Sequence, residues 1–266
     1  MSDPTPGRDD CGILARSDGA SIAYRRVIAA PTDSPRPTVI FLHGLMSDME
    51  GSKATHLHEY AEIQGLDYIR FDMLGHGLSS GEFTDGSIGR WRDDTLAVID
   101  ELTEGPLVLV GSSMGGWVGL LAAVARPDRV QGFVGIAPAP DFTEDSMWAD
   151  MTPSQKTELD AKGIVQIADA DNPCGTFPIT RLMIEDGRQN LLLRQPIPFP
   201  GPVRILQGMQ DASVDWHTAL KLADALESPD TQATLIKDGD HRLSRPQDLA
   251  LLTRTLEALI EEAFKN

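Results

Sequence analysis

Short unbroken apolar runs alternate along this chain with longer stretches of helical spacing, the arrangement expected of buried strands joined by amphipathic helices. Thr38-Val39-Ile40-Phe41-Leu42 is one such run, and residues 67–72, 107–110, 130–137, 203–206 and 233–237 read the same way. Between them, residues 51–64, 87–102, 215–226 and 246–264 carry helical periodicity. In the last of these Leu249, Leu252, Leu256, Leu259 and Ile260 share a face, and Trp91, Leu96 and Ile99 tend to one face of the second, where Trp91 reads as core. Gly65 closes the first helix. Residues 11–17 and 21–29 flank Asp18-Gly19 and predict a hairpin, with residues 1–10 as a loose tail. Strands alternating with helices predict one large α/β domain.

The alternation lapses over residues 138–200, where Pro138, Pro140, Pro153, Pro173, Pro178, Pro196, Pro198 and Pro200 interrupt the pattern. Two short helices are predicted there. One is capped by Thr152, with Pro153 in its first position and Gln155 three residues past the cap; the other starts near Pro178 and ends around Gly187. So long an excursion between two strands predicts a lid or cap over a site. The domain reading is a core of residues 1–137 and 201–266 with a lid insertion at 138–200.

Charge narrows the function classes. The 266 residues hold 23 basic against 40 acidic side chains, a net charge of −17 spread along the chain, which disfavours nucleic acid and anionic membrane as partners. No apolar run reaches the ~18–20 residues of a membrane span. The N-terminus, MSDPTPGRDDCG, has the character of neither a signal peptide nor a transit peptide. Cys11 and Cys174 form no disulfide framework, so the expected compartment is the cytoplasm. No metal-binding motif is present and no cofactor is expected; His56 and His58 are two apart on a helix and face different sides.

Candidate chemistry centres on Ser113. The pattern switches from strand to helix across Ser112-Ser113-Met114, and Gly111 and Gly115 stand two residues either side of Ser113. A nucleophile on so sharp a bend brings those positions against neighbouring backbone, where a Cβ would clash. Ser112 lacks the flanking pair, and Gly116 is expected to let the new helix lie close on the sheet. The free N–H groups of that helix suit a developing oxyanion, making the Met114 N–H one candidate donor. The Leu45 N–H, in the His43-Gly44-Leu45-Met46 loop after a buried strand, is the second, with His43 bracing the loop. The glycine-punctuated loop at 73–81 reads as a turn at the sheet's working edge.

A serine hydroxyl needs a base, and the base needs an orienting carboxylate. His241 follows the last strand and Asp211 the strand before it, each where a parallel sheet presents its carboxyl ends. Asp238 and Asp240 also lie near His241, but so close in sequence that reaching its far ring nitrogen is awkward; Asp215 reads as a first-turn carboxylate. The order Ser113, Asp211, His241 is that of one fold family.

Over residues 11–265 the chain resembles the α/β-hydrolase-fold serine hydrolases. More narrowly, it is similar to the mitochondrial palmitoyl-protein thioesterase group of that superfamily, also described as acyl-glucuronide esterases. The stretches that carry this are Met46-Ser47-Asp48-Met49, Tyr68-Ile69-Arg70-Phe71-Asp72, residues 105–117 (GPLVLVGSSMGGW), Ala125-Arg126-Pro127, Trp216-His217-Thr218 and Asp240-His241-Arg242. The resemblance departs at His43, where that group is expected to carry a proline.

The resemblance implies an α/β-hydrolase fold, with a mostly parallel sheet of about eight strands, helices on both faces and a small helical lid. It also implies Ser113, Asp211 and His241 as the triad of a serine esterase or thioesterase. The expected substrate is a small-molecule or acyl-chain ester or thioester, including an acylated protein. Two alternatives stand beside this: amide or carbon–carbon bond hydrolysis on the same triad, and a non-catalytic ligand-binding homologue. In the insertion, Phe142, Met147, Trp148, Met151, Ile164, Leu182, Met183 and Ile184 read equally as a wall for an acyl chain or as packing. Arg181 and Arg188 read as a solvated helix face, with a substrate carboxylate as the alternative partner.

Overall fold

A computed structural model describes residues 7–31, 36–168 and 175–264 of the chain. In order, the elements are β1 (Arg8–Ala15), β2 (Ser21–Ile28), β3 (Thr38–Leu42), α1 (Ser52–Gln64), β4 (Tyr68–Phe71), α2 (Ile88–Leu102), β5 (Leu107–Ser112), α3 (Met114–Ala125) and β6 (Val130–Ile136). There follow α4 (Pro153–Lys162), β7 (Ile164–Ala168), β8 (Thr176–Thr180), α5 (Arg181–Gln189), β9 (Val203–Gly208), α6 (His217–Ala225), β10 (Thr231–Ile236) and α7 (Pro246–Ala263). Eight strands form one sheet in the order β1-β2-β4-β3-β5-β6-β9-β10. Only β2 runs against its neighbours; the remaining pairings are parallel.

The unbroken apolar runs follow from burial on both faces of that sheet. Along β3 and β5, Ile40, Leu42, Leu107 and Leu109 pack in the core under α2, α3 and α6, while Val39, Phe41, Val108 and Val110 pack with α1 and α7. Trp91 is fully buried in the first of these cores. Burying a Val, Leu, Ile or Phe side chain contributes about 1.5–3 kcal/mol relative to leaving it in water, so the fully buried central strands contribute heavily to the stability of the sheet.

Several boundaries differ from expectation. Arg8, Asp9 and Asp10 belong to β1, paired with Ile28, Val27 and Arg26, and the Gly7 N–H donates to the Glu62 carbonyl, so the predicted tail does not extend to residue 10; residues 1–6 lie outside the described residues. A helix was expected to begin near Pro178; instead Pro178 sits opposite Gln166 in an antiparallel β7–β8 ribbon, and α5 starts at Arg181. The β-branched Thr176, Ile179 and Thr180 favour the strand, and Thr180 then accepts the Met183 N–H as the cap of α5. A π-helical turn over Thr143–Trp148 also lies in this insertion, which the β7–β8 ribbon makes not purely helical. The other predicted helix, α4, has the expected Thr152/Gln155 capping box and Pro153 start.

The two ends of the insertion are tied to each other, and its later end to the core. Asp141, buried and at φ 60°, accepts the Leu192 and Leu193 N–H groups at 2.7 and 2.9 Å. Trp117 of α3 donates its indole N–H to the Asn190 carbonyl at 2.9 Å, and Asp186 accepts the Gly89 N–H of α2 at 2.6 Å. Between these ties, Met151, Leu159, Val165, Ile179 and Ile184 form a small core of their own.

Two histidines lock together the loops that follow β3 and β4. His43 Nε2 accepts the Met73 N–H at 3.2 Å, and His76 Nε2 accepts the Met46 N–H at 3.3 Å, so each loop donates to the other's imidazole. The remaining ring nitrogens therefore carry the hydrogens, donated to the Gly44 and Leu74 carbonyls. The rings lie 4.8 Å apart, with Phe83 and Trp91 edge-on to His76. Burial holds His43 neutral, at a pKa of about 4; burial and then the neighbouring His43 do the same for His76, also about 4.

Both values lie below the ordinary 6.5, so the folded chain binds fewer protons here than the unfolded one. The stability these rings contribute is complete above about pH 6.5 and is lost as pH falls towards about 4, on the order of 3 kcal/mol per ring. We expect the unfolding free energy of wild type minus that of His76→Gln, measured in urea, to shrink by this order between pH 7 and pH 4. A pH-independent difference refutes the role. Separately, Asp141→Ala leaves two buried N–H groups unpaired and is expected to cost about 2–4 kcal/mol by the same measurement; a loss well under 1 kcal/mol would show that the insertion does not rely on this tie.

Candidate active site

The turn between β5 and α3 puts Ser113 at φ 54° and ψ −117°, a conformation that costs a non-glycine residue about 1–3 kcal/mol and persists only where its surroundings enforce it. The enforcement is visible in the flanking glycines. A Cβ on Gly111 would run into the Gly115 carbonyl, and one on Gly115 into the Leu42 and His43 carbonyls at the end of β3. Gly116 behaves differently from expectation: what a Cβ there would strike is Pro138, at the start of the insertion.

Loops from three other strands close around Ser113. Its Oγ lies 3.1 Å from His241 Nε2, and His241 Nδ1 lies 2.8 Å from Asp211 Oδ2. An ionised carboxylate only accepts, so Nδ1 holds the ring hydrogen and Nε2 is left to accept from the serine hydroxyl. The Asp211 side chain is fully buried, and its other oxygen accepts the Ser213 and Val214 N–H groups at 2.8 Å each. Gln207 adds a bond at 3.0 Å to the oxygen facing the histidine. Burial pushes the Asp211 carboxyl up, but the hydrogen bond and charge of His241 and the two backbone N–H groups outweigh it, and the net shift is down. The carboxylate is thereby kept ionised and fixed against the imidazole. The competing acids are occupied elsewhere: Asp238 pairs with Arg245, Asp240 accepts the Leu243 N–H, and Asp215 accepts the N–H and ring nitrogen of His217 just ahead of α6.

The residues read as oxyanion donors lie on either side of the serine. Met114 is the first residue of α3, so its N–H has no acceptor within the helix. Leu45 follows Gly44, where an added Cβ would sit 3.3 Å from Ser113 Cβ, and no hydrogen bond among the described residues engages the Leu45 N–H. A cavity of about 410 Å³ opens beside Ser113, lined also by Leu45, Met46, Lys53, His241 and Arg242. Sequence reasoning did not single out Lys53. It stands in the first turn of a helix, with nothing in its spacing to set it apart from any solvated lysine.

The side chains read as an acyl-chain wall do not line this cavity. Met183 is buried in the main core, Met151 and Ile184 in the insertion's own, and Phe142 stands edge-on to Trp117; Leu182 points outward. Arg188 pairs with Glu144 and lies over Trp148, and Arg181 donates to the Asp160 carbonyl, so neither reaches the cavity. His56 bonds Thr253 and His58 meets Arg70 and Asp9, on separate sides as expected. Cys11 is free and exposed, and Cys174 lies outside the described residues.

Comparison with known proteins agrees with this architecture. Residues 33–166 match the family model described as serine aminopeptidase, S33. The mitochondrial palmitoyl-protein thioesterase ABHD10 of Rattus norvegicus is 39% identical over 250 residues, spanning 94% of this chain and 82% of the relative. Among solved structures, mouse alpha/beta hydrolase domain-containing protein 10 superposes with a TM-score of 0.85 at 37% identity, covering 95% of this chain and 99% of its own. A putative hydrolase from Agrobacterium vitis S4 superposes with a TM-score of 0.89 at 40% identity, covering 96% of this chain and all (100%) of the other. Sharing that identity and that fold over nearly its whole length, the chain belongs to the α/β-hydrolase family, among the hydrolases related to ABHD10.

Proposed function

We propose that this hydrolase cleaves carboxylic esters or acyl thioesters through an acyl-enzyme on Ser113. The observation that carries the reading is the continuous relay from Ser113 Oγ through His241 to a buried carboxylate, at 3.1 and 2.8 Å. In this reading His241 takes the hydroxyl proton as Ser113 attacks the carbonyl, and the Leu45 and Met114 N–H groups hold the oxyanion. His241 then passes the proton to the departing alcohol or thiol. A water enters, gives a proton to His241 and attacks the acyl-enzyme; collapse returns that proton to Ser113 and releases the acid. Asp211 orients the ring throughout. The rat relative's name, a palmitoyl-protein thioesterase, supports an acyl thioester as one substrate.

We read residues 138–200 as the lid of this site, since the insertion starts at Pro138 against Gly116 of the nucleophile's own helix. A free, exposed Cys11 fits a reducing compartment, the cytoplasm in our assignment, although the rat relative is named as mitochondrial. Steady-state hydrolysis of p-nitrophenyl esters and acyl thioesters from acetyl to palmitoyl tests the reading. Ser113→Ala is expected to lower kcat by about 10⁴–10⁶-fold, with Asp211→Asn costing about 10⁴-fold because the imidazole is left in the wrong tautomer. A Ser113→Ala protein that retains its turnover, or a wild type inert towards both series, overturns it.

A further inference from the structure

His241 sits on the connection between β10 and α7, so no strand or helix fixes it directly. Its neighbours in sequence are held by an unusual set of restraints. Leu243 is buried at φ 44°, a left-handed conformation that a branched residue adopts only under constraint, and its N–H is held by Asp240 Oδ1 at 2.9 Å. Two further bonds cross from the start of α1. Lys53 Nζ donates to the Arg242 carbonyl at 2.6 Å, and Ser52 Oγ donates to Ser244 Oγ at 3.0 Å.

We propose that Lys53 is a positioning residue for His241: it fastens the main chain immediately behind the base to the first turn of α1. The inference rests on the hydrolase reading of Ser113, His241 and Asp211. The bond is charge-assisted and short, and it grips a carbonyl one residue from the imidazole. It also has a firm anchor. Ala54, Leu57 and Ala61 of α1 are packed into the core, and Tyr68 Oη donates to the Ala54 carbonyl at 2.8 Å. Since α1 follows directly on the loop carrying Gly44, Leu45 and Met46, the tether sets the base's loop relative to the loop on the oxyanion side of Ser113.

The lysine pays for this position. Burial pulls its pKa down to about 8, against the attraction of Asp240 and Asp248, and no carboxylate among the described residues lies within ion-pair distance of it. A half-buried ammonium with a main-chain carbonyl as its partner is not placed there for solubility. Because Lys53 also lines the cavity, contact with substrate is the competing role, and the two differ in which kinetic constant they move.

The test uses the full chain with Lys53→Met, which keeps the length and loses the donor, and Lys53→Arg, which restores one. Ester turnover, with Ser113→Ala as control, is measured beside the melting temperature and the proton NMR signal of the hydrogen between His241 Nδ1 and Asp211. Lys53→Met is expected to lower kcat about 10–100-fold with KM held within about twofold, since small misplacements of a catalytic group carry losses of that order. The NMR signal should broaden or vanish in Lys53→Met, and Lys53→Arg should recover both readouts. A raised KM at wild-type kcat assigns Lys53 to substrate binding and overturns the proposal. So does an arginine variant no better than methionine, or a loss of kcat matched by a loss of folded protein. If wild type turns over no substrate, the hydrolase reading fails on its own; the NMR signal then decides the tether, standing if Lys53→Met alone disturbs it and falling if it does not.

Discussion

The contact of bare backbone on bare backbone at Gly111 and Gly115 is the constraint on which the rest of this site depends. Because β3 and β5 are parallel neighbours, with Leu42 opposite Gly111, the end of β3 lies against the start of α3. Only glycine lets the carbonyls of Leu42, His43 and Gly115 occupy that space. The tight approach drives Ser113 into its positive-φ turn, and it places Gly44 and Leu45 beside the serine. The same device recurs on the other side of the site. Gly208, ending β9, lies under the Gly239 and Asp240 carbonyls, so the loop carrying His241 crosses the strand that delivers Asp211 with no side chain between them. Ser113 after one strand, His241 after another and Asp211 after a third meet because glycine lets their loops nearly touch.

This explains why the centre of the site was legible in the sequence and its surroundings were not. Ser113 announces itself through the paired glycines and the change from strand to helical spacing. Asp211 and His241 follow from their places after β9 and β10, since parallel strands present their carboxyl ends at one edge. The central strands were legible because burial on both faces leaves no polar position to confuse the pattern. Lys53 had no such signal: its role comes from a contact with Arg242, far away in sequence, and a lysine in the first turn of a helix is unremarkable by itself. His76 is similar, since its importance lies in a reciprocal bond with the loop of His43 that only the adjacency of β3 and β4 creates.

The insertion was the least legible part, for a physical reason. Its segments bury their apolar faces on one another and on α2 and α3, and such local packing leaves no period long enough to separate strand from helix. Pro178 was read as a helix start because proline favours that position. It is tolerated equally in a two-stranded ribbon, where many backbone groups have no ladder partner to lose. From the sequence, the apolar side chains of this region fit lining a site and holding the insertion down equally well. The structure buries Met183 in the main core, where it holds the insertion down, and Met151 and Ile184 in the insertion's own core; the bonds at Asp186 and Asn190 tie the insertion to α2 and α3, and Asp141 ties its two ends together.

The acidic surplus, which the composition alone assigns to the surface, also supplies buried aspartates, and the fates of Asp72, Asp94, Asp141 and Asp211 differ instructively. Asp72 accepts the Met49 and Leu78 N–H groups, Asp94 the Leu74 N–H, and Asp141 the Leu192 and Leu193 N–H groups. Each of these three holds a loop near the sheet's carboxyl edge, and in each burial raises the pKa despite the backbone bonds. Asp211 likewise is buried and takes two backbone N–H groups, yet its pKa is lowered. What separates it is His241. A hydrogen-bonded imidazole reverses a shift that burial leaves positive at the other three despite their backbone bonds, so the partner separates the aspartate whose pKa is lowered from those that fasten a loop.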